Sequence, residues 1–121
     1  MSTTDQQRAV YQIRKYTVGQ KCRNMLKGCR DRARKNNVYF DITIEELNAM
    51  WPEDGLCPVF GITLALDNPT IADDSPSLDR FNNDVGYTRD NCTIISMKAN
   101  RMKSNATVAE MQLLVNWMGE Q

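Results

Sequence analysis

The sequence of 121 residues contains no histidine. That removes the side chain that most readily accepts and returns a proton near neutrality, and it excludes any mixed Cys/His zinc site. The four cysteines, Cys22, Cys29, Cys57 and Cys92, include no C-x-x-C pair. Their spacing argues against a structural zinc and predicts reduced, mostly buried thiols. No apolar run approaches the length of about 20 residues that a membrane span needs, so no membrane partner is expected. The polar N-terminus lacks the apolar stretch of a signal peptide, which predicts a cytoplasmic protein. Internal repeats and low-complexity tracts are also missing.

What is present is ordinary in amount and uneven in placement. An apolar fraction of 41% and a charged fraction of 25% fit a globular domain of one modest core. The net charge of zero hides two opposite halves. Residues 1–37 carry ten Lys or Arg and two Asp, hence +8; residues 38–121 carry five and thirteen, hence −8. A basic arm on an acidic body points to nucleic acid, with phosphate contacts made by the arm. The alternative is a solvated helix face that pairs with the body.

Arg8 to about Lys35 reads as helix in two pieces, with Gly19 at the break. Val18, Cys22, Met25, Leu26, Cys29 and Ala33 form an apolar stripe. Lys21, Arg23, Lys27, Arg30, Arg34 and Lys35 lie across from it as candidate phosphate contacts. Asn36-Asn37 predicts a left-handed stop. Thr43 with Glu46, and Thr107 with Glu110, are capping boxes that open two further helices. Pro58–Leu66 reads as a small hairpin about Gly61. The last helix, with Met111, Leu114, Val115 and Met118, is expected to close the core.

The central stretch, residues 75–104, reads SPSLDRFNNDVGYTRDNCTIISMKANRMKS. It predicts a short strand around Leu78-Asp79-Arg80, a loop marked by Asn82-Asn83 and Gly86, and a β-branched strand at Cys92–Ile95. A helix capped by Ser96 follows. A strand end and a helix face that meet could bring the oxygens of Asp79 and Asn100 to one hard cation. Lys98, Arg101 and Lys103 add cations on or near that helix.

This ββα unit resembles the HNH, or His-Me finger, endonuclease family, in a phage-associated branch. The pieces that carry the likeness are Pro76–Arg80, Gly86–Asn91 and Ala99–Ser104, about a quarter of the chain. The resemblance implies an α+β fold with a ββα-metal core over residues 38–121, behind a basic helical extension at 1–37. It implies a metal-dependent DNA endonuclease holding one Mg²⁺ or Mn²⁺ on Asp79 and Asn100, with Asn91 orienting the site. The family's general base follows the Asp, and here that position is Arg80. Arginine stays protonated and accepts no proton. It could instead clamp a phosphate, with Tyr87 as a candidate orienter. Two readings follow: a nuclease that works without histidine, or an inactive descendant that binds DNA or a host protein as a phage modulator. A homodimer would join two single-metal sites, though no sequence feature requires one.

Overall fold

The computed structural model describes residues 17–120. The fold is α+β, as expected, and among the described residues no helix is long and apolar enough to cross a membrane. The elements are α1 (Val18–Lys35), β1 (Phe40–Asp41), α2 (Ile44–Met50), β2 (Pro76–Arg80), β3 (Tyr87–Thr88), β4 (Cys92–Ser96), α3 (Met97–Lys103) and α4 (Val108–Gly119). A single 3-10 turn, Arg89–Asn91, joins β3 to β4.

α1 begins where Thr17 accepts the Gln20 N–H at 3.1 Å. Gly19 lies within the first turn of α1, so the break expected there is not seen at Gly19. The helix expected upstream, from Arg8, lies outside the described residues. At the other end Asn37 takes φ 58°, and the Val38 N–H reaches back to the Ala33 carbonyl at 2.8 Å. That left-handed stop satisfies carbonyls the helix would otherwise orphan. The predicted stripe is buried at Cys22, Cys29 and Ala33, with Val18, Met25 and Leu26 half-buried on the core. α1 is thus one wall of the core while its cations face out.

β2 and β4 pair antiparallel, Leu78 opposite Ile94 and Asp79 opposite Thr93. Alternation sends Leu78 and Ile94 into the core with Leu47 of α2. Ser77 and Asp79 share the opposite face. Between α2 and β2 the chain makes a tight turn at Gly55 (φ 73°) and a narrow bridge, Leu56 against Thr63. The expected hairpin is this smaller loop, closed by the Gly61 N–H on the Cys57 carbonyl.

The last helix corrects the expectation that it closes the core. Its capping box forms, but no residue of α4 is buried, and Leu113, Leu114, Val115 and Met118 are exposed. Its apolar side chains occupy more than one side, so no single stripe is matched to the core. α1, α2 and the β2–β4 pair already enclose that core, and Ser104, at φ 44°, redirects the chain after α3.

β1 and β3 form a parallel pair, Phe40 beside Tyr87, clamped by the Tyr87 N–H on the Tyr39 carbonyl at 2.8 Å. Gly86 permits this approach: a Cβ there would lie 2.4 Å from the Tyr39 carbonyl oxygen. Gly86→Ala should destabilise the protein by about 3 kcal/mol, the upper end of overpacking costs, since the obstacle is backbone. An unchanged urea midpoint would contradict this packing.

Candidate functional site

The turn from β4 into α3 has no loop. Ser96 is fully buried and its Oγ accepts the Ala99 N–H at 3.2 Å, capping α3. The Met97 N–H bonds the Ser75 carbonyl at 2.7 Å and the Lys98 N–H the Asp73 carbonyl at 3.0 Å. These bonds fix α3 across β2. Two side-chain contacts then stitch helix to strand. Asn100 donates its amide nitrogen to Ser77 Oγ at 2.6 Å. Lys103 Nζ lies 2.8 Å from Asp79 Oδ2 and also bonds the Arg80 carbonyl.

Ser77 and Asp79 are two residues apart on one strand face, about 7 Å. Asn100 and Lys103 are three apart on one helix face. The four side chains make a small quadrilateral, with Asp79 and Asn100 on its diagonal. Asp79 is only 7% exposed, and the Lys103 ammonium beside it compensates its charge.

The donor set fits a hard cation in one respect. Asn100 bonds Ser77 through nitrogen, leaving its amide oxygen without a hydrogen bond among the described residues. Lys103 bonds only one oxygen of Asp79. Two oxygens, one anionic, match an ion that keeps most of its shell as water and substrate phosphate. Among the described residues no cluster of three His, Cys, Asp or Glu side chains could hold a metal. Any site here depends on Asn100.

Arg80 lies on the strand face opposite Asp79. Its Nη1 donates to the Asn83 and Val85 carbonyls at 3.1 and 3.3 Å, and its guanidinium carbon sits 4.8 Å from the Tyr87 ring centroid. Asn91 is buried inside the same loop. It accepts the Asn82 N–H and donates to the carbonyls of Asn82, Val85 and Gly86, all between 2.9 and 3.2 Å. These two residues satisfy loop carbonyls that no strand pairs with. The structure therefore gives both a positioning task.

Two grooves flank the seam. A mixed one of about 600 Å³, the more polar of the two, runs between α1 and the strand, with Lys21, Asn24 and Arg32 on one wall and Ser77, Tyr87 and Asn100 on the other. An apolar one of about 650 Å³ is lined by Phe60, Phe81, Ile95, Met102 and Met111, with Asp79 and Lys103 at its margin. The two predicted metal ligands line different grooves. Ser77 and Arg32 were missed from sequence. A signal for Arg32 existed in Gly28, one turn earlier, where a Cβ would lie 3.3 Å from the guanidinium.

The predicted cations divide. Arg23, Lys27, Arg30 and Arg34 form an exposed stripe on α1, with Lys35 beside it, and none makes an ion pair among the described residues. The alternative of pairing with the acidic body is not seen there. Lys21 is half-buried toward the polar groove. Arg101 meets Asp73 at 3.5 Å, Lys98 lies 5.9 Å from the Phe60 ring, and Lys103 is engaged by Asp79.

All four cysteines are buried and free. Burial pushes the thiols of Cys22, Cys29 and Cys92 up. Burial pushes Cys57 the same way, but its hydrogen bond with the Ser96 hydroxyl and bonds from the N–H groups of Phe60, Ser96 and Val59 outweigh it and leave that thiol below its ordinary value. These bonds tie the Cys57–Gly61 turn to the start of α3. No family model, curated protein or solved structure matches the chain.

Lys103→Met should cost about 3 kcal/mol in denaturant unfolding, because it strands a buried carboxylate. Adding Asp79→Asn should recover most of that loss, and simple additivity of the two changes would contradict the pairing.

Proposed function

We propose that this chain is a divalent-metal-dependent DNA endonuclease of the HNH-like, ββα-metal type. The observation that carries the reading is the seam, where Asp79 and Asn100 each keep an oxygen free of hydrogen bonds from the described residues within one strand–helix junction. The resemblance of residues 75–104 supplies the reaction class. Asp79 and Asn100 would hold the ion, which when bound polarises the phosphoryl group and stabilises the leaving oxygen.

The remaining residues have tasks that need no metal. Lys103, one helical turn from Asn100, offers a cation to a phosphate drawn to the seam. Arg80 and Asn91 hold the 82–91 loop, and Tyr87 beneath Arg80 lines the polar groove. Lys21 and Arg32 flank that groove, so a backbone lying in it meets cations on one side and Asn100 on the other. The α1 stripe extends the cationic track beyond the groove. With no imidazole in the chain, the attacking water passes its proton to a phosphate oxygen of the substrate.

A second reading rests on a specific observation. The Asp79 charge is already met by Lys103, and Arg80 and Asn91 are engaged within their own loop. A module that only binds DNA or a host protein would look the same.

Supercoiled plasmid separates the two readings. The nuclease should nick it with Mg²⁺ or Mn²⁺ and not with EDTA, and Asp79→Ala should lower the rate on the order of 100-fold or more. DNA retention should weaken with salt, and Arg30→Glu with Arg34→Glu should flatten that dependence by about one to two phosphate contacts. Retention without nicking under any metal would leave the binding reading standing.

A further inference from the structure

The groove between α1 and β2 holds charge that the fold does not use. Lys21 and Arg32 stand on its α1 wall, and neither makes an ion pair among the described residues. No Asp or Glu among the described residues lines it, although residues 38–121 carry thirteen acids against five cations. Arg32 is held in place. Its Nη2 donates to Cys29 Sγ at 3.2 Å, and its Nη1 lies over Gly28, 3.3 Å from where a Cβ would stand. A glycine inside a helix weakens it, and this one leaves the guanidinium its seat on the groove wall. On the facing wall Ser77 is nine-tenths buried, and its hydroxyl proton has no acceptor among the described residues. The rim is apolar. Pro69 and Ile71 are exposed on the 67–75 loop, Ile71 by 66%, and Met25 and Met97 line the same groove half-buried. That loop is tied down by Asn68 Nδ2 on Asp74 Oδ1 at 2.7 Å and by the Ala72 N–H on Ser75 Oγ at 2.9 Å.

We propose that this groove binds an unpaired stretch of DNA, with phosphates along Lys21 and Arg32 and a base against Pro69, Ile71 and Met97. Cations beside an apolar rim fit a strand whose bases are bare, because such a strand offers phosphates and flat apolar faces together. A duplex keeps those faces stacked inside and would leave the rim without a partner. A single nucleotide is too short. Lys21 and Arg32 are eleven residues apart on one face of α1, roughly 16 Å along the axis. Helix side chains lean toward the N-terminus, and Arg32 does so over Gly28, so the two cations do not converge on one phosphate. Asn24 keeps its amide donors and Asn68 its amide oxygen free of hydrogen bonds among the described residues. One donates and the other accepts, as base edges require and a carboxylate-rich peptide does not. The proposal rests on DNA as the partner and names its form; it does not require the chain to cut.

Fluorescence anisotropy of the full chain in EDTA tests it, with a labelled oligothymidine of about 12 nucleotides and a duplex of the same length as probes. The wild type should bind the strand on the order of 10-fold more tightly than the duplex, although the duplex has the denser charge. Lys21→Gln and Arg32→Gln should each weaken strand binding and lower its salt slope by about 0.7, one phosphate on an unpaired strand. Ile71→Ser should weaken it on the order of 10-fold with the slope unchanged, because it removes a base contact and no charge. Arg89→Gln, the same loss of charge outside the groove, should match the wild type, and all four variants should keep the far-ultraviolet circular dichroism of the fold. Duplex bound as tightly as the strand overturns the proposal. So do groove variants that leave strand binding intact, or a control that weakens it as much as they do. Plasmid nicking without strand preference sinks this inference and spares the nuclease reading; strand preference without nicking under any metal does the reverse.

Discussion

Ser96 holds the junction on which the rest of the site depends. It ends β4 and caps α3 in one residue, so the helix inherits its direction from the strand with no loop to absorb error. Its backbone N–H bonds the Cys57 sulfur at 3.2 Å, which pins the Cys57–Gly61 turn to the same point. Because β4 is in register with β2 through five residue pairs, fixing α3 to β4 also fixes it over Ser77 and Asp79. Asn100 and Lys103 reach those partners for that reason. A buried hydroxyl that accepts from both the Ala99 N–H and the Cys57 thiol makes a stiff junction, and stiffness is what a site assembled from a strand and a helix requires.

Charge follows from the same geometry. Asp79 is buried, and the Lys103 ammonium 2.8 Å away compensates its charge. The loop after β2 is held from within by Asn91 and from outside by Arg80, so its exposed tip rests on a satisfied base. Arg80 is thus part of the scaffold of that loop. Among the described residues the acids of the body are not turned against the basic helix: those that form ion pairs do so with Arg89, Arg101 and Lys103, and the α1 stripe faces solvent. The stripe is an exposed patch of positive charge.

Much of this was legible in the sequence. Thr43, Ser96 and Thr107 announced three helix starts, because a short hydroxyl before a helix-forming run has few other uses. The β-branched Cys92–Ile95 run and the Asn37 stop were equally local signals. Less local features were hidden. The parallel β1–β3 pair is two residues long and depends on Gly86 meeting Tyr39 from far along the chain. The pairing of Asp79 with Lys103, and not with its neighbour Arg80, follows from strand alternation and helix pitch together. The last helix misled because helical spacing of apolar residues shows that a face wants burial without showing against what.

The central proposal is that Asp79 and Asn100 form one cation site on the strand–helix seam. The most direct test is Mn²⁺ titration of the ¹⁵N-labelled chain, read as paramagnetic broadening of amide resonances. The account predicts broadening centred on Asp79, Arg80, Asn100 and Lys103, largely lost in Asp79→Asn at unchanged fold. Broadening centred on the Asp73-Asp74 loop, or spread evenly over the acidic surface, would contradict it.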